Sequence, residues 1–240
     1  MKEKGRPRAF DRDAALARAM KLFWARGYEG ASLAELTAAM GIRPPSLYAA
    51  FGSKEALYRE ALDLYVAEGD AGIWDAIPIA PTAREAVDGF LRATAIAFTR
   101  PGVPPGCMIA LGALHEGEAS EAICRDLKER RAWGVGVLKE RLERGVKDGE
   151  LPAGADCAAI ASFYATVQHG MSILARDGAD REALLAVARR AMAGWEGVVA
   201  PSPSIQETNR PSPNPLPGGE RATDLPSPLR GEGGTRKAGG

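Results

Sequence analysis

The sequence predicts an all-α protein, an N-terminal three-helix helix-turn-helix domain followed by a larger C-terminal helical domain. Three observations predict it. Between Ser32 and Tyr58, Leu33, Leu36 and Met40 fall at helical spacing, the pattern resets at Gly41, and it resumes through Leu47 and Phe51. Capping boxes at Ser32 to Glu35 and Thr82 to Glu85 mark helix starts, because hydroxyl and carboxylate satisfy orphan amides reciprocally. Apolar or amphipathic runs over 120–149, 158–175 and 180–199 supply a body. A corner of two short helices at a left-handed glycine offers its second helix to the DNA major groove.

Residues 1–10 read as a flexible basic arm. Such arms lay arginines in a minor groove beside a major-groove helix, which makes Arg6 and Arg8 candidates; a solvated terminus is the alternative. Residues 11–62 form the helix-turn-helix domain. Asp11 caps a first helix running to Arg26, with Leu16, Ala19, Met20 and Phe23 on one stripe and Gly27 as its stop. Phe23, Leu36, Leu47 and Phe51 are the expected small core.

Pro45 to Phe51 is too short to be helical alone in water, so Leu47 and Phe51 must pin it. Arg43, Pro44, Pro45, Ser46 and Tyr48 are then left for DNA, with Ser32 and Lys54 beside them. Arg43 and Lys54 sit at helix N-termini, where the dipole disfavours a cation by roughly 0.3–1 kcal/mol. A phosphate nearby would turn both conflicts into contacts. Tyr48 suits a phosphate, sugar or thymine methyl, with half-buried packing as the alternative. Arg43 suits a bidentate grip on guanine or, alternatively, a phosphate alone. Ser53 starts a fourth helix, to about Glu68, that links head to body.

The run GIRPPSLYAAFGSKEALYREAL, residues 41–62, resembles the DNA-binding signature of TetR-type transcription regulators. The resemblance covers about Arg6 to Leu62 closely, Thr82 to Val199 in architecture, and nothing after Pro201. Thr37 and Met40 depart from it, standing where many members have alanine. It implies that Tyr48 and Lys54 touch the DNA backbone. It also implies a homodimer on double-stranded operator DNA, acting as a repressor released by a small-molecule effector. An activator or architectural binder without ligand control, and a helical adaptor or enzyme, are the rival readings.

Residues 63–200 are the expected ligand-binding and dimerisation domain. Gly69 to Pro81 reads as a connection, Thr82 to Arg100 as a helix, PGVPPG as a loop, and Cys107 to His115 as a short helix. The GCM start of that segment resembles one branch of the family. Ser120 to Gly149 is a long charged helix. Phe90, Phe98, Cys107, Met108, Leu111, Trp133, Phe163, Tyr164, Gln168 and His169 are candidates to line an apolar cavity; ordinary core is the alternative for the apolar ones. Gln168 and His169 need partners if buried. Helices at 158–175 and 180–199 pair with their copies in the family, which points to Val167, Met171, Leu174, Leu184, Ala188, Met192 and Trp195 as a dimer interface.

Overall charge is zero, so binding to nucleic acid cannot be argued from pI. The first segment is nevertheless basic: Lys2, Lys4, Arg6, Arg8, Arg12, Arg18, Lys21, Arg26, Arg43 and Lys54 outnumber its acids. Three scattered cysteines argue against a disulfide framework or zinc site, and no metal or cofactor is expected. The two histidines lie in no catalytic motif, so an enzyme is not expected. No signal peptide is visible, and polar residues interrupt the apolar run after Cys157, so a cytoplasmic protein is expected. Residues 201–240, rich in Pro, Gly and Ser, read as a disordered tail without function.

Overall fold

A computed structural model of the chain describes residues 10–68, 72–112 and 121–201, which form nine helices and no strand. The expected arm, with Arg6 and Arg8, and the tail beyond Pro201 lie outside the described residues.

Helix α1 (Arg12–Gly30) starts where the Asp11 carboxylate accepts the Ala14 amide at 3.0 Å. It buries Leu16, Ala19, Met20, Phe23 and Trp24. The expected stop at Gly27 is a kink instead. There φ is 72° and ψ 178°, a conformation essentially reserved for glycine, and one further turn follows. Helix α2 (Leu33–Met40) opens on the expected capping box and ends at Gly41, φ 71° and ψ 31°. Helix α3 (Pro44–Phe51) and α4 (Lys54–Glu68) complete the head. Phe23, Leu36, Leu47 and Phe51 are all buried, as expected, and Tyr58 joins them edge-on to Phe23 at 4.9 Å. Full burial of each such side chain is worth about 1.5–3 kcal/mol, which holds the two short helices. Thr37 and Met40 also point inward, so these departures from the family pattern sit in the core.

The body comprises α5 (Ala83–Phe98), α6 (Glu121–Lys147), α7 (Cys157–Arg176), α8 (Arg181–Ala193) and α9 (Trp195–Val199). The α7 helix touches α5, α6, α8 and α9, which is why its sequence is apolar on most sides. Its Ser162 and Thr166 hydroxyls donate to carbonyls one turn back, both at 2.8 Å, and need no external partner. Two expected elements differ. The segment 107–112 is a series of turns, and His115 lies outside the described residues. The last helix breaks at Gly194 into α8 and α9.

Head and body belong to one compact unit, and α4 runs unbroken through the expected boundary after residue 62. Ties between them include a long pair of Arg59 in α4 with Asp126 in α6, 3.9 Å apart, and three closer contacts. The Trp24 indole donates to the Gly106 carbonyl at 3.0 Å. Arg130 of α6 pairs with Asp63 of α4 at 2.6 Å. Arg176 donates to the Trp24 and Ala25 carbonyls, both at 2.8 Å, and to Pro105 at 3.1 Å. The kink at Gly27 leaves those α1 carbonyls at a helix end, and a guanidinium there also suits the dipole.

Candidate nucleic-acid interface and body cavity

The outward face of α3 is set by its inward one. Leu47 and Phe51 are buried, so Arg43, Pro44, Pro45 and Ala49 are exposed and Ser46 is half-buried. Tyr48 is 48% exposed, and among the described residues no ring contact or hydrogen bond holds its side chain. Arg43 occupies the N-cap position and makes no capping bond. The cost is small, because Pro44 and Pro45 have no N–H to cap and the Ser46 amide already bonds the Arg43 carbonyl at 2.9 Å. The double proline therefore releases residue 43 from helix duty.

Most other cations of the head are tied up. Arg12 bridges Glu60 at 2.8 Å, donates to the Ala50 carbonyl and covers the Phe51 ring. Arg18 donates to the Met40 carbonyl at 3.1 Å, and Arg26 pairs with Glu35 at 2.5 Å. Among the described residues of the head, Arg18, Lys21, Arg43 and Lys54 have no carboxylate partner, and of these Arg18 is already held by the Met40 carbonyl. Lys54 does have a seat that sequence reasoning missed: its Nζ lies 4.4 Å from the centroid of the Tyr28 ring. The Gly27 kink puts Tyr28 there, stacked on Phe23 and edge-on to Tyr58. Burial raises the Tyr28 pKa, with Glu55 and Glu29 adding to it, so the ring stays neutral. A contact of this kind steadies an ammonium by about 0.5–1 kcal/mol and leaves it able to meet a phosphate. Ser32 is less available than expected, since its hydroxyl donates to Glu35 at 2.7 Å and accepts the Glu35 amide at 3.2 Å. Those bonds, from the Ser32 side chain first and its amide next, hold the Glu35 carboxyl below its ordinary value.

The body holds a cavity of about 220 Å³ between α4, the 72–80 connection, the 107–110 turn, α6 and α7. Cys107, Trp133, Gln168 and His169 line it, as expected. Val66, Trp74, Ile109, Ala110, Arg130, Arg131, Gly134, Val135 and Ala165 complete the wall and were not among the candidates. The other six candidates lie elsewhere. Phe90, Phe98 and Met108 are core, Phe90 reaching the cavity only through Trp74, whose ring is 5.0 Å away. Leu111 is half-buried outside the lining. Tyr164 packs on Trp195 at 5.8 Å, and burial pushes its hydroxyl up to about 12. Phe163 is 42% exposed on the far side of α7.

Most residues of the expected dimer face are covered within the single subunit. Met171, Leu184, Ala188, Met192 and Trp195 are buried within the subunit, because α5 and α7 cover the apolar stripe of α8 and α9. Leu174 is exposed and Val167 half-buried, and exposed Phe163 and Ile173 extend them along one face of α7. No helix among the described residues is long and apolar enough to cross a membrane.

Comparison with known proteins gives this arrangement a family. The model of bacterial regulatory proteins of the tetR family matches residues 15–61, the span from α1 to α4. The chain is 37% identical to the HTH-type transcriptional repressor ComR of Escherichia coli (strain K12), over 82% of this chain and 95% of ComR. It is 34% identical to the repressor BdcR of the same strain, over 79% of this chain and 90% of BdcR. Among solved structures, a cysteine mutant of the TetR family regulator CifR, complexed with 26-base-pair double-strand operator DNA, is 52% identical with a TM-score of 0.75. That match covers 80% of this chain and all of the CifR chain, 100%. A helix-turn-helix with an unencumbered outer face, on a helical body and with full-length relatives of this kind, places the chain in the TetR family of bacterial transcriptional regulators.

Proposed function

We propose that the chain is a homodimeric transcriptional repressor that a small-molecule effector in the body cavity releases from double-stranded operator DNA. The observation that carries this reading is the outer face of α3, where Arg43 and Tyr48 are exposed without partners and Lys54 stands on Tyr28. Ser46 completes that surface, with Pro44 and Pro45 shaping its approach to a groove. Two of these α3 faces, one per subunit, would meet half-sites about 34–36 Å apart, or a multiple of that. The exposed Phe163, Ile173 and Leu174 along α7, with half-buried Val167 among them, support pairing with a second copy. The head would comprise residues up to about 62 and the body the helices from there to 200. Release follows if the effector binds better to a spacing of the heads that no longer fits both grooves.

Fluorescence anisotropy with fragments of the DNA upstream of its own gene tests this. Salt-sensitive, nanomolar binding to one pseudo-palindrome is the expected result. Equal affinity for every duplex, or none, would overturn it. Sequencing the genomic fragments retained by the protein then identifies the operator.

A further inference from the structure

We propose that the body cavity selects a small organic carboxylate with an apolar, ring-bearing body, an inference that rests on the effector reading above and specifies its chemistry. The cavity has an aromatic wall. Trp74 and Trp133 meet edge-on with centroids 5.5 Å apart. Trp74 lies against α6 where Gly134 provides the room; a Cβ there would stand 2.6 Å from the indole. Val66, Val135 and Ala165 extend the apolar lining.

Its polar groups have one sign. None of the described lining residues carries a carboxylate, while Arg130 and Arg131 both face the space. Arg130 is already neutralised, at 2.6 Å by Asp63 and 2.8 Å by Asp126. Arg131 is not: it donates to the Ile109 carbonyl at 3.1 Å and has no carboxylate partner among the described residues. Gln168, on the same lining, is 4% exposed and has no side-chain hydrogen bond among the described residues. Its amide is not among the fully buried side-chain groups that lack a partner, so it still meets the solvent of the cavity and is free to turn to a ligand. An unpaired guanidinium and an idle amide donor on one wall match the two oxygens of a carboxylate, which accept and never donate. A cationic ligand would meet Arg131 as a like charge. His169 stays neutral, because burial and then Arg131 lower its pKa, so it adds no second cation to the wall. The space, about 220 Å³, holds roughly seven waters at ~30 Å³ each, room for a one- or two-ring acid.

Titration calorimetry on the full chain without DNA separates this from the effector reading. The probes are 1-naphthoate, neutral 1-naphthamide and cationic 1-naphthylmethylamine. The acid is expected to bind about 10- to 100-fold more tightly than the amide, the ratio for a hydrogen-bonded charge, and the amine not at all. Arg131→Met should abolish that preference and Arg131→Lys should keep part of it. Gln168→Leu supplies a check independent of folding defects: it should not lower the melting temperature of the ligand-free protein while weakening naphthoate. Equal or tighter binding of the amide, or a Gln168→Leu variant that is less stable and binds the acid unchanged, would overturn the inference. Tight amide binding that released operator would leave the effector reading intact while sinking this one. Naphthoate binding with no effect on operator would do the reverse.

Discussion

Replacing Arg176 by methionine removes three hydrogen bonds at the end of α7, two that fasten it to α1 carbonyls of the head at 2.8 Å and one to Pro105 of the body at 3.1 Å. A hydrogen bond to a charged group contributes about 1.5–3 kcal/mol when fully enclosed. Arg176 is only half-buried, so water screens the charge and can rehydrate the freed carbonyls. That brings each bond nearer 0.5–1 kcal/mol and the sum to roughly 2 kcal/mol. Methionine keeps much of the stem packing, so the loss reports the guanidinium. Urea denaturation followed by circular dichroism should give a lower midpoint with an unchanged slope. For a body of this size that is a drop in melting temperature of about 4–8 °C. Amide exchange should speed up first in the last turn of α1. Arg92→Met, which breaks an exposed one-turn pair with Asp88, is the control and should cost about 0.3–0.5 kcal/mol. A loss for Arg176→Met no larger than the control, with α1 exchange unaltered, would refute the coupling of body to head through this side chain.

Tyr48→Ala and Lys54→Ala should each weaken operator binding without shifting the urea midpoint, and the Lys54 change should reduce the salt slope by about 1, the signature of one lost phosphate contact. Arg43→Ala should cost about 1–3 kcal/mol at a single base pair if its contact is bidentate; equal losses on operator and random DNA in anisotropy titrations would make it a backbone contact. Glu150→Ala strands Arg141, whose side chain is 2% exposed, and should destabilise the fold by about 3 kcal/mol in chemical denaturation. The same pair sets an acid limit. Burial alone would raise the Glu150 pKa, but the Ala83 amide and Arg141 outweigh it and lower it below its ordinary 4.5. A depressed carboxylate stabilises the fold above that ordinary value and loses the contribution as pH falls through its lower native one. Glu150→Gln should therefore flatten the fall in urea midpoint below about pH 4.5, as a denaturation series from pH 7 to 3 will show.

The head was legible because its determinants are local. A capping box, a glycine corner and a double proline lie within a few residues of what they shape, and apolar spacing alone assigns Leu36, Leu47 and Phe51 to its core. The seat under Lys54 was not legible, since it requires Tyr28 to swing across a kink that looked like a plain helix end. Of the cavity, the polar residues of α7 stood out as anomalies in an apolar run. Trp74 did not, because it sits in a connection without periodicity and its position depends on missing atoms at Gly134. Arg131 read as one more charge on a charged helix. The apolar stripe of α8 was recognised, but periodicity shows that a face will be covered and not by what. Here α5 and α7 cover it, while the outward side of α7 keeps its apolar side chains uncovered within the subunit.

The backbone reversal at Gly27 has a mechanical consequence. On one side of it stand the two carbonyls gripped by Arg176, two turns along the same helix from Gln168 and His169. On the other side stands the phenol ring beneath Lys54. A displacement of α7 would therefore pull on a helix end one residue away from the seat of Lys54, and at that joint any side chain strains the backbone although there is space for it.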